Sequence, residues 1–476
     1  MSSGPEDQPQ RYRALNVLHR VLDELGLAAL YRAPFDVKLL CIQRFVRLYA
    51  YGATALVLVP LLHELGISQS RIGLFMTLTL IGDAGISLVL SLVADVVGRR
   101  AILVLGALLM VLSGVVFAAF HNFWLLLLAA IVGVISANGN EIGPFRAVEE
   151  SALAYLVEPS DHSDLFAWHC VLGYSGTATG IVSCGWVLNY LLQTLSWSTL
   201  DAYRAVFYTY AILGLVKVVF ALCMTQAVEA PAEKAKQNSR PQLVSGVIDE
   251  ESPLLAEPSE VQTSKSKLRR SLRPQVSRES LSFLPLLCAL IALDSFGSGL
   301  VPISWVSYYF RTRFDIPDGQ LGSIFFSASI FNAVSTLFAS SLAKRIGNVK
   351  TMVFTHLPSS VFLALIPLPN EAYWAITLLI LRSCSQSMDT APRSAFIAGI
   401  LLPGERTAVI GFINVLKTVA QGLGPLVTGV LAENNAFWVA FVTAGAIKIS
   451  YDFGLLVSFQ NYQRPAKAEE EEEEEE

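Results

Sequence analysis

About twelve apolar runs, each near twenty residues long, constrain this chain more than any other feature. A helix of that length, rising roughly 1.5 Å per residue, matches the hydrocarbon thickness of a bilayer. The runs fall near 39–62, 71–94, 101–121, 123–148, 165–195, 203–226, 281–309, 320–343, 350–369, 372–400, 407–431 and 435–459. Composition agrees: 53% of the residues are hydrophobic and 15% charged, against roughly 25% charged in soluble domains. With a mean hydropathy of +0.52, the apolar surplus exceeds what one core buries, so most of the surface faces lipid. A soluble enzyme is excluded. The expected fold is all-α and integral to the membrane, with twelve transmembrane helices arranged as two pseudo-symmetric six-helix bundles.

The expected organisation follows the polar segments. Residues 1–38 form a cytosolic N-terminal segment in which Leu15, Leu18, Leu22 and Leu25 share a helical face near Arg11, Arg13 and Arg20, as in a helix lying on a membrane surface. Residues 39–226 form the first bundle, 227–280 a disordered cytosolic linker rich in Pro, Ser, Glu and Lys, 281–460 the second bundle, and 461–476 an acidic cytosolic tail. Glu469 to Glu476 carry eight negative charges, so the net charge of −5 conceals a remainder of +3, and nothing points to nucleic acid. Of 34 Lys and Arg, 24 fall on the side that also holds both termini, and Arg71, Arg204, Arg311 and Arg313 alone on the other. Positive-inside bias therefore makes both termini cytosolic. Cys41, Cys170, Cys184, Cys223, Cys288 and Cys384 lie in apolar stretches without paired spacing and read as reduced packing residues. No metal or cofactor is expected.

An internal repeat orders the runs. Gly73, Asp83, Ala94, Asp95 and Gly98 are matched 249 residues later by Gly322, Asn332, Ala343, Lys344 and Gly347, and GYSGTATG (173–180) is matched at the same offset by GLGPLVTG (422–429). Parallel repeats of six spans place a substrate site between two bundles near the midplane, the architecture of a transporter. The segment SLVADVVGRR (91–100), between the second and third runs, resembles the loop signature of the major facilitator superfamily, with Ser91 and Val96 standing where the family usually has glycine and a basic residue. The resemblance covers nearly the whole chain and is nearest to the proton-coupled drug and metabolite facilitators of eukaryotic microbes. It implies the superfamily fold, no enzymatic activity, and a gating role for Asp95, Gly98, Arg99 and Arg100, which join cytosolic helix ends in one bundle arrangement and part in the other. The second copy, with Lys344 in place of Asp95, is expected to gate more weakly.

Ionisable residues deep in a span mark function, because each is costly unless it faces protein or water. The resemblance implies that spans 1, 4, 7 and 10 line the cavity, and these carry Arg44, Arg47, Glu141, Arg146, Asp294, Arg382, Asp389 and Arg393. Read as one helix, Arg382, Gln386, Asp389 and Arg393 share a face. So do Asp294, Ser298, Val301, Trp305 and Tyr308, whose rings could stack on a substrate, and in span 11 Asn414, Lys417 and Gln421. Substrate contacts are expected from Arg47, Glu141, Asp294, Ser298, Trp305, Arg382, Gln386, Asp389 and Lys417. Proton exchange is expected at Asp294, Glu141, Asp83 or Asp389, with Asp294 first because it lies mid-span with no basic residue near in sequence. Alternatively Arg382 with Asp389, and Arg146 with Glu149 or Glu150, are permanent pairs. Lys448 and Asp452 read as a local neutralising pair, and Lys217 as snorkelling or paired.

The chain is thus expected to move a small organic molecule across a membrane by alternating access, with proton-coupled export as the leading reading. The Gly-Pro step typical of exporters in the resembled family appears in span 11 (Gly424, Pro425) instead of span 5, and no sugar-porter signature follows spans 6 and 12. Proton-coupled import of a nutrient or organic anion is the alternative, and a non-transporting sensor or scaffold a third. Direct ATP drive is disfavoured by the lack of a GxxxxGK[ST] loop. DEESPLL (249–255) places Glu250 ahead of Leu254 and Leu255 as an acidic dileucine signal for a sorting adaptor, so the expected location is the plasma membrane or a vacuolar or endosomal membrane. A monomer is expected.

Overall fold

The computed structural model of the chain describes residues 27–133, 135, 144–157, 161–229, 278–401 and 406–459. The elements, in order, are α1 (Leu27–Arg32), α2 (Phe35–Glu64), α3 (Gln69–Val97), α4 (Arg99–Ala119), α5 (Phe123–Val132), α6 (Pro144–Leu156), α7 (His162–Asn189), α8 (Thr199–Cys223), α9 (Arg278–Leu300), α10 (Ile303–Phe314), α11 (Asp318–Ile346), α12 (Asn348–Leu365), α13 (Ala372–Ser383), α14 (Thr390–Ile400), α15 (Arg406–Glu433) and α16 (Phe437–Phe459). No strand occurs among the described residues. Seven helical stretches are long and apolar enough to cross a membrane, and α5 and α13 are shorter apolar helices.

The repeat seen in the sequence recurs in the backbone. α3 and α11 begin and end 249 residues apart, and each is followed by a glycine with positive φ, Gly98 at 101° and Gly347 at 86°. Glycine is needed there because a side chain at such φ meets its own backbone. Packing repeats too. In the first half α2 packs on α7 and α8, and α4 on α8; in the second, α9 packs on α15 and α16, and α12 on α16. Branched and aromatic side chains such as Val57, Leu61, Phe75, Phe117 and Phe207 fill the space between the helices.

The halves meet along α3 against α15 and α7 against α11, with α2 touching α10. Glycines permit this approach: a side chain on Gly73 would strike the Pro425 carbonyl and Gly429, and one on Gly185 would strike the Asp318 carbonyl and Gly322. The polar cross-links gather at the end bearing the loops after α2, α7, α10 and α15. Ser70 N donates to Glu433 Oε2 at 2.9 Å, Gln69 Nε2 to Tyr308 Oη at 3.3 Å, Leu426 N to Thr77 Oγ1 at 3.1 Å, and Trp186 Nε1 to Ser323 Oγ at 3.0 Å.

Three apolar runs that read as single helices are interrupted. Run 281–309 breaks at Val301 and Pro302, since proline has no N–H and caps α10 instead. The Leu300 carbonyl freed by the break accepts from Thr428 Oγ1 at 2.5 Å. Run 372–400 breaks into turns over 384–389 and resumes as α14 with Pro392 in the first turn, where no donor is required. Run 123–148 is divided between α5 and α6, the second opening at Pro144. The face expected from Arg382, Gln386, Asp389 and Arg393 on one continuous helix is therefore corrected: Arg382 ends α13, Gln386 and Asp389 sit in the turn, and Arg393 belongs to α14.

Candidate functional site

Each half buries its own charge cluster, assembled from the first, fourth and later helices of the repeat. In the first half, Arg47 of α2 donates from both terminal nitrogens to Glu149 of α6, at 2.5 and 2.6 Å. Both side chains have no accessible surface. His169 of α7 is wedged alongside, its Nε2 3.6 Å from Glu149 Oε2 and its Nδ1 2.5 Å from Arg44 Nη1, and Arg44 also approaches Glu150 Oε1 at 3.8 Å. Lys217 of α8 and Asp83 of α3 are buried in the same half. An arginine cannot shed its charge, so the Arg44 bond makes His169 Nδ1 the acceptor and puts the ring proton on Nε2, toward Glu149.

The second half draws its cluster from four helices and the turn that precedes one of them. Asp294 of α9 accepts from Lys448 Nζ of α16 at 2.7 Å on one oxygen and from Arg393 Nη1 of α14 at 2.9 Å on the other. His356 of α12 presents Nε2 3.6 Å from Asp294 Oδ1 while its Nδ1 lies 2.9 Å from Asp452 Oδ1. Arg393 also pairs with Asp389, and Lys448 Nζ donates to Ser298 Oγ at 2.7 Å. Tyr451 closes the cluster, its ring edge-on to His356 with centroids 5.8 Å apart and 5.5 Å from the Arg393 guanidinium carbon. The charges of the two halves are exchanged: the first helix carries the arginine and the fourth the carboxylate in one half, and the reverse in the other.

These contacts revise several expected pairings. Asp294, with no basic neighbour in sequence, has three in space. Lys448 turns to Asp294 and Asp452 to His356, so the local pair is not made. Asp389 pairs with Arg393 in place of Arg382. Glu149 pairs with Arg47 and Glu150 approaches Arg44, and the Arg146 side chain lies outside the described residues. Trp305 is fully enclosed, against Tyr308 at 5.8 Å and Phe437 at 5.5 Å between centroids, so its ring is sealed in this conformation. Arg382, half-buried near the end of α13, has no ion pair among the described residues, and neither has Lys417 on α15. Glu141 lies outside the described residues, as do Glu250, Leu254, Leu255, the acidic tail and nearly all of the linker and N-terminal segment. Glu149, His169, His356 and Asp452 were missed as site residues: Glu149 was read only as a partner for Arg146 and Asp452 only as a partner for Lys448, and the two histidines stand singly within apolar runs.

At the expected gating loop, the Asp95 side chain lies outside the described residues. Glu229, which sequence reasoning missed, caps the start of α4 by accepting from Arg99 N at 2.8 Å and Arg100 N at 3.0 Å. Arg100 in turn donates from Nε to the Ala221 carbonyl at 3.3 Å and from Nη2 to the Leu222 carbonyl, neutralising the end of α8. These bonds all lie within the first half.

Two helical halves related by a repeat, with polar cross-links at one end and each burying ion pairs between its helices, have the architecture of a multi-pass membrane transport protein. The family model of the Major Facilitator Superfamily matches residues 40–301 and 286–476, and the chain belongs to that superfamily. It is 35% identical over 431 residues to the uncharacterized membrane protein YJR124C of Saccharomyces cerevisiae, covering 90% of this chain and 94% of that one. Solved structures share the fold at low identity. The nucleoside transporter NupG aligns at TM-score 0.65 and 13% identity over 90% of this chain and 100% of that chain. The D-xylose-proton symporter aligns at TM-score 0.64 and 14% identity over 88% and 96%.

Proposed function

We propose that the chain moves a small organic molecule across a membrane by alternating access and couples that movement to protons through the Asp294 cluster. The observation that carries this reading is one carboxylate, Asp294, bound at once by Lys448 and Arg393 and facing His356, with the partners on separate helices. When helices shift between states, such a carboxylate loses or gains cations, and its proton affinity changes with them. His356 lies between two carboxylates, so a proton reaching it has acceptors on both ring nitrogens. Proton-coupled export is the direction we assign. Import remains the second reading, favoured by the arginines and lysines around the cluster. With both termini cytosolic, the end joined by Ser70, Glu433, Trp186 and Ser323 faces outward, and the conformation is inward-facing.

The test uses protein reconstituted in liposomes with a trapped pH-sensitive dye, an imposed pH gradient and a panel of organic cations, anions and neutral metabolites. Proton movement that requires one compound and disappears in Asp294→Asn supports the reading, and its sign distinguishes antiport from symport. Wild-type protein that binds a compound and moves no protons in its presence would overturn the coupling and favour facilitated diffusion or a sensor.

A further inference from the structure

The loop after α3 and its repeat copy after α11 differ in what covers them. At Gly98 a carboxylate fills the cradle at the start of α4. Glu229 accepts from Arg99 N at 2.8 Å and Arg100 N at 3.0 Å, and its nearest oxygen lies 2.9 Å from where a glycine Cβ would stand. At Gly347 the backbone repeats the turn with φ 86°, and α12 starts at the corresponding residue, yet nothing lies within 4 Å of the equivalent point. The opening amides of a helix are unbonded donors with partial positive charge. In the first half a carboxylate answers them, and in the second none does among the described residues.

Side chains add to that charge. Lys344, Arg345 and Lys350 flank Gly347, are exposed, and have no ion pair among the described residues. Their own helices offer none, because α11 beyond Asp318 and the whole of α12 contain no Asp or Glu. Asp318 stands at the far end of α11 and is held by Arg311. The helices packed on α12 offer none either: α13 and α14 have no acidic residue, and Asp452 of α16 is taken by His356.

The chain carries a counter-charge that begins at this end of the fold. Phe459, the last described residue of α16, is buried in the apolar cluster that holds Met352 and Val353 of α12, with Val349 packed against it. α16 therefore ends beside the start of α12. Nine residues separate Phe459 from Glu469, where a run of eight glutamates begins. Extended, that stretch reaches up to roughly 33 Å, enough to return to a loop at the same end of the same helix pair.

We infer that the basic loop around Gly347 is a docking surface for the chain's own acidic segment, Glu469 to Glu476, whose carboxylates stand at the start of α12 as Glu229 stands at the start of α4. Lys344 occupies the position that Asp95 holds in the first copy, so the tail gives this loop the negative charge it lacks. Single exposed ion pairs are weak and screened by salt, and the contact depends on many carboxylates meeting several cations and a helix end at once. It does not depend on proton coupling.

The test treats the purified full-length protein with a carbodiimide, which joins a lysine amine to a carboxylate in contact with it, and maps the products by mass spectrometry. In nanodiscs of phosphatidylcholine, links are expected from Lys344 or Lys350 to Glu469 to Glu476 within one chain. Their yield should fall several-fold between about 0.1 M and about 1 M NaCl, as the screening length drops from roughly 10 Å to 3 Å. It should fall about two- to fivefold in Arg345→Gln, which removes a charge and keeps both reactive lysines. Absence of these links overturns the docking, as does a yield that neither salt nor Arg345→Gln changes. Equal yields at the linker lysines Lys265 and Lys267 overturn it by showing indiscriminate contact. Links formed only between chains make a second copy the occupant, and links that vanish when phosphatidylserine is added give the loop to anionic lipid. Either result overturns docking of the chain's own tail.

Discussion

Arg47 and Glu149 exchange two hydrogen bonds where neither side chain touches solvent, so each charge is tolerated through the other. Breaking such a pair leaves an uncompensated charge, and Glu149→Gln is expected to destabilise the protein by about 3–5 kcal/mol. Replacing both, as Arg47→Met with Glu149→Leu, should recover most of that loss. Thermal unfolding of the three proteins checks this, and a double variant as unstable as the single one would refute it. Gly98 makes a second residue-scale case. At φ 101°, and with the nearest Glu229 carboxylate oxygen 2.9 Å from where a Cβ would stand, Gly98→Val should cost about 1–3 kcal/mol in strain. Gly66→Val, at a positive φ in open space, should show the backbone strain without the loss of the Glu229 cap. The individual charges were legible in the sequence, because any ionisable residue in an apolar run is conspicuous. Their partners were not. Asp294 meets residues 62, 99 and 154 positions away, and no local spacing encodes such pairings.

The elements depart from their apolar runs where proline and hydrogen bonding intervene. A window of twenty residues averages across Pro302 and Pro392, so hydropathy shows one span where the backbone forms two helices. The prolines themselves were visible, and they were the signal that could have located the breaks. The compensating groups were not, since Thr428 reaches the Leu300 carbonyl from another helix. Thr428→Val keeps the shape and removes the donor. It is expected to lower stability by about 1–3 kcal/mol, whereas Thr428→Ser should retain most of it, as read by thermal unfolding in detergent. A loss in Thr428→Ser with none in Thr428→Val would show that the methyl group matters and the hydroxyl does not. The same breaks separate the charges: Arg382 and Arg393, which would share one face of an unbroken helix, lie on different helices, and Arg393 is the one that joins Asp294 and Asp389.

At the scale of the whole molecule, two copies of one packing scheme meet through glycine-lined seams. The seams are asymmetric along the membrane normal, with the polar links described here at one end. Enlarging Gly73 to valine should wedge α3 from α15, since the Pro425 carbonyl occupies the space, and shift the population toward the state open at that end. Ser323→Cys in a background lacking the native cysteines reports this shift. Labelling by a membrane-impermeant thiol reagent from that side should rise several-fold when Gly73→Val is added. Unchanged labelling would mean that the seam does not hold the closed state.

Membrane residence, the all-helical class, the superfamily and the twofold repeat were determined by sequence alone. Each rests on periodicity, length or spacing along the chain, which is local information that a bilayer turns directly into structure. The tertiary structure decided which charges neutralise one another, where spans break, and which donors remain open. These depend on side chains brought together from distant helices, and in a medium without water the energy of a charge is set by its neighbours in space.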